Sequence, residues 1–111
     1  DTIKGFLDNG YLMDPHTATC IKAYKELKDK PLKTVIYSTA EWTKFSPTVL
    51  NALNKNQIKY SDKQALEEIS SKYNATLPQS IKELFNAKIN HSLVIEKENI
   101  EVEIVKFIRE S

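Results

Sequence analysis

One short run, Thr34-Val35-Ile36-Tyr37, reads as a strand with both faces apolar, and no second segment offers it a convincing partner. Continuous apolar runs without polar alternation are the habit of parallel sheets buried on both faces. A single strand cannot make a sheet, and even an isolated hairpin is marginal in water. The run therefore predicts an α/β protein whose buried strand, about residues 33–38, belongs to a larger sheet. Several helices follow it. Ligands in such sheets sit beyond the carboxyl ends of the strands. That places Ser38, Thr39, Glu41 and Lys44 where this architecture keeps its chemistry.

The remaining elements read as helices. Residues 2–8 look like the end of a helix stopped near Asn9-Gly10. Asp14-Pro15 opens the next, with a carboxylate for the free amides and a proline suited to the first turn. Cys20, Ile21, Tyr24 and Leu27 form its apolar stripe. A helix over about 46–54 carries Val49, Leu50 and Leu53. Ser61 and Gln64 form a capping box for a helix reaching Tyr73. Leu77-Pro78 starts a short one with Ile81, Leu84 and Phe85. Residues 100–104 alternate like a strand, but Ile100, Ile104, Phe107 and Ile108 fit a helical face, which we favour; Leu93 to Ile95 reads as extended. No linker divides the chain, so residues 1–111 are expected to be one piece of a larger α/β domain, its carboxyl-terminal part.

Composition narrows the function classes. Hydrophobic residues at 41% and charged residues at 28% are ordinary for a globular chain. A net charge of +1 gives no reason to expect nucleic acid or an anionic membrane as partner. No apolar segment approaches the ~20 residues of a membrane-spanning helix. One cysteine, Cys20, excludes an internal disulfide framework and suits a cytoplasmic setting. His16 and His91 with that cysteine make no metal spacing. There are only two glycines, Gly5 and Gly10, so no glycine-rich loop is available to cradle a phosphate.

Two segments carry candidate chemistry. In Asp14-Pro15-His16-Thr17-Ala18, helix amides could attract an anion and His16 could donate to it; alternatively Asp14 only caps and His16 is solvated. Thr39 ends the strand with a hydroxyl that could meet a cofactor ring nitrogen, or could satisfy nearby backbone. Glu41 and Lys44, three apart, would pair on a helical turn.

Together, Gly10-Tyr11-Leu12-Met13-Asp14-Pro15-His16-Thr17-Ala18 and Ser38-Thr39-Ala40-Glu41-Trp42-Thr43-Lys44-Phe45 resemble the carboxyl-terminal part of the threonine synthase family. That family carries a G-Y-x-x-(D/E)-P-H-(T/A)-A segment and then an A-T-A-H-P-A-K-F-like one. The resemblance is good over roughly residues 2–55. It implies a pyridoxal-phosphate lyase of the tryptophan-synthase-β fold group (fold type II), converting O-phospho-L-homoserine and water to L-threonine and phosphate. It assigns Thr39 to the pyridine nitrogen of the cofactor, and Asp14, His16, Thr17 and Lys44 to the substrate cleft. No catalytic residue is assigned, because the Schiff-base lysine and phosphate loop of the family lie upstream of these segments. This piece alone is expected to be inactive and to bind no pyridoxal phosphate, with self-association through the uncovered strand as its one expected partner contact. Glu41 and Trp42 depart from the His and Pro of the pattern, so no role tied to that His passes to Glu41. Two rival readings are a related serine/threonine dehydratase and a non-catalytic helical interaction module.

Overall fold

The computed structural model describes residues 1–110. The helix α1 (Thr2–Leu7) ends before Gly10, whose φ of +83° lies in the left-handed region that glycine adopts freely. Next, α2 (Pro15–Leu27) starts on Asp14, with Pro15 in its first turn. An irregular stretch leads to a 3-10 turn, Trp42–Phe45, which runs directly into α3 (Ser46–Asn54). The capping box of Ser61 and Gln64 is fully formed at the start of α4 (Asp62–Tyr73). Then come α5 (Gln79–Leu84), a second 3-10 turn at Lys97–Asn99, and α6 (Ile100–Glu110).

The core is the seam between α3 and α4. Val49, Leu50 and Leu53 from one face Ala65, Leu66 and Ile69 from the other, all buried. Ile3 of α1, Met13, Ala18 of α2 and Trp42 close its other side. Ser46, fully buried, donates to the Asp62 carbonyl at 3.3 Å and ties the starts of the two helices. Among the described residues every buried one lies between Ile3 and Ile69, and α6 buries none. None of the helices is long and apolar enough to cross a membrane among the described residues.

The expected strand is corrected. Residues 33–38 form no strand, and no sheet exists among the described residues, so the α/β class gives way to an all-helical one. No backbone–backbone hydrogen bond among the described residues involves residues 33–40. The run is not buried either: Val35 and Tyr37 are 76% and 83% exposed. The physical reason is that a strand is held by a ladder to a neighbour, and nothing in the described chain supplies one. The apolar pattern survives in a weaker form. Thr34, Ile36 and Ser38 line a groove with Ile21 and Tyr24 of α2, so alternate residues lean on that helix and the rest face outward.

Candidate functional site

The site begins with the cap of α2. Asp14 adopts an extended conformation, and its Oδ1 accepts from the His16 amide at 2.9 Å and the Thr17 amide at 3.2 Å. Oδ2 accepts from the Thr17 hydroxyl. It also lies 3.2 Å from the Ser38 hydroxyl, 24 residues further along the chain. The Ser38 proton has a second acceptor in the Ala40 carbonyl at 2.9 Å, and Thr17 Oγ1 stands 3.2 Å from Ser38 Oγ. One buried carboxylate thus joins the two segments that sequence reading singled out.

Burial pushes the Asp14 carboxyl up. The Thr17 hydroxyl, the Thr17 and His16 amides and the Ser38 hydroxyl together outweigh it and hold the group below the usual aspartate range. Asp14 is therefore a stable anion although it is only 1% exposed. This settles how the helix N-terminus is used. Two of its free amides and its positive end are already matched by Asp14, which leaves little attraction for an external anion.

Beyond this cluster lies an open cleft of about 450 Å³, lined by Tyr11, Leu12, Asp14 and the run from Ser38 to Trp42. The exposed Thr39 is on its wall, and the Thr39 hydroxyl makes no hydrogen bond within the described residues. The backbone-satisfying role open to Thr39 is thus not taken up. The cleft carries two carboxylates, Asp14 and Glu41, and no lysine, arginine, histidine or glycine.

The other expected cleft residues fall elsewhere. Thr17 is buried behind the cleft as a partner of Asp14. His16 is exposed, with Nδ1 3.4 Å from Asp14 Oδ1 and its ring tilted against Phe45 at 4.7 Å between centroids. Lys44 sits over the same phenyl ring, its Nζ 5.6 Å from the centroid. His16 and Lys44 thus gather on Phe45 and do not line the cleft. The expected Glu41–Lys44 pair is absent among the described residues; Glu41 instead accepts from the Thr43 hydroxyl at 3.4 Å. Ser38 is the member that residue-by-residue reading undervalued. Its place in the candidate segment was visible, but its bond to a carboxylate 24 positions away was not. No group of three or more potential metal ligands occurs among the described residues.

The chain is 36% identical over 70 residues to Threonine synthase-like 1 of Mus musculus and to that of Homo sapiens, and 34% identical over 70 residues to that of Macaca fascicularis. The similarity is to threonine synthase-like proteins. Each match covers 63% of this chain but 9% of the relative, so the chain spans about a tenth of the length of the curated relatives it matches. No family model matches it, and no solved structure does.

Proposed function

We propose that this chain is a carboxyl-terminal segment of a threonine synthase-related, pyridoxal-phosphate-dependent lyase, and that the Thr39 cleft is one wall of its cofactor site. The observation that carries this reading is the unbonded Thr39 hydroxyl on the wall of a cleft that both motif segments border. The similarity to threonine synthase-like proteins supports the same reading.

The residues fit one part of the cofactor. A neutral hydroxyl suits a pyridine nitrogen, which it can meet without bringing a charge. The cleft offers no amine for a covalent anchor and no cation or glycine loop for a phosphate, so in this reading those parts come from elsewhere in the full-length protein. Pyridoxal phosphate, when bound, supplies an electron sink for carbanion chemistry. The chain's own contribution would be the Thr39 hydroxyl, a neutral partner that could orient the ring without forcing a proton onto its nitrogen. The substrate in this reading is O-phospho-L-homoserine. Its phosphate would sit away from this wall, because Asp14 and Glu41 repel it.

The test is made on the full-length protein. It should show cofactor absorbance and release phosphate from O-phosphohomoserine, and Thr39→Val should lower kcat at least tenfold while Tm moves little. Equal loss of rate and stability would reduce Thr39 to a structural role, and absence of the cofactor band from the full-length protein would sink the enzyme reading.

A further inference from the structure

We propose that Ser38 is the positioning residue of the cleft: held against the Asp14–Thr17 pair at the start of α2, it fixes the backbone that presents Thr39. The inference rests on the reading of Thr39 given above and adds to it the part that keeps the hydroxyl in place.

Residues 33–40 have no backbone–backbone hydrogen bond, so nothing of a sheet restrains Thr39. Neighbouring Val35 and Tyr37 are largely exposed, so packing restrains the approach to Thr39 weakly. On the far side, Trp42 is buried and starts the 3-10 turn, which anchors the run from its carboxyl end. Between Ile36 and Trp42 the side-chain hydrogen bond to the start of α2 is that of Ser38, whose hydroxyl donates to Asp14 Oδ2 at 3.2 Å, while the Thr17 hydroxyl gives its own proton to the same oxygen. Ser38 also lies 2.9 Å from the Ala40 carbonyl, spanning Thr39 with a local turn. A hydroxyl that reaches both the helix and the residue after Thr39 constrains the peptide units on either side of it.

The acceptor on the helix side is the Asp14 carboxylate, and a charged acceptor makes the Ser38 hydrogen bond stronger than one between neutral groups.

The experiment measures backbone order by NMR in the 111-residue chain, with Tm recorded alongside. Ser38 is exposed, so Ser38→Ala should leave Tm within a few degrees. It should drop order parameters at Thr39 and Ala40 from the rigid range, about 0.85, to below about 0.6. Ser38→Thr, which keeps the hydroxyl, should restore them. Unchanged order in Ser38→Ala overturns the positioning role whatever Thr39 does. In the full-length protein, Ser38→Ala should lower kcat and shift the cofactor band, with Thr39→Val as the comparison. If Thr39→Val is silent there, the reading of Thr39 fails. If Thr39→Val is damaging and Ser38→Ala is silent in both rate and band, that reading stands and the positioning role falls.

Discussion

Asp14 collects two amides and two hydroxyls on one carboxylate, and that concentration makes it the residue whose loss is felt most widely. Replacing an N-cap aspartate with alanine costs about 0.5–2 kcal/mol, and here it also removes the acceptor shared by the buried Thr17 hydroxyl and the Ser38 hydroxyl. Asp14→Ala should therefore lower stability by about 2 kcal/mol or more in urea unfolding. The pH dependence follows from the depressed carboxyl. The folded group titrates below its unfolded value, so through that interval the unfolded chain binds more protons. The stabilisation is complete above the ordinary aspartate range and is lost as pH falls through the depressed folded value. Asp14→Asn should flatten this acid limb of the stability curve; an unaltered limb would mean that the native hydrogen bonds do not favour the carboxylate.

At the scale of elements, Lys55 and Asn74 end α3 and α4 in the left-handed region, each with φ of 53°. Asparagine tolerates that conformation, whereas lysine strains its Cβ by roughly 1–2 kcal/mol. Lys55→Gly should raise stability by about 1 kcal/mol, while Asn74→Gly should change it less; thermal melts of the pair decide. The helices were legible because their signals are local. Asp14-Pro15, the Ser61–Gln64 box and the α3 stripe each fall within a few residues of the element they specify. The run at 33–38 misled for the opposite reason. Its apolar character is local, but a strand exists only through a partner, and a partner cannot be read from the run itself. The site divides the same way. Asp14 as a cap follows from adjacent residues. The bond between Asp14 and Ser38, and the gathering of His16 and Lys44 on Phe45, depend on how separate elements meet.

For the whole molecule, burial is uneven. Among the described residues the interior ends at Ile69, and those after Phe85 contribute nothing buried. Ile100, Ile104, Phe107 and Ile108 on α6 are all exposed, at 45–73%. Deleting residues 87–111 should thus leave the melting temperature of the remaining helices within a few degrees. A large drop would mean that α6 stabilises the core by contacts that burial does not reveal. Limited proteolysis should cut first between α5 and α6, where the backbone carries few hydrogen bonds and little packing.

Met13, the only methionine, is 1% exposed and lies next to Asp14 at the joint between α1 and α2. Cys20, one turn into α2, is free and exposed. The two sulfurs form a built-in pair of clocks. A thiol reagent should reach Cys20 at once, whereas peroxide should convert Met13 to its sulfoxide only as often as the joint opens. The ratio of the two rates measures how tightly the joint between α1 and α2 is shut.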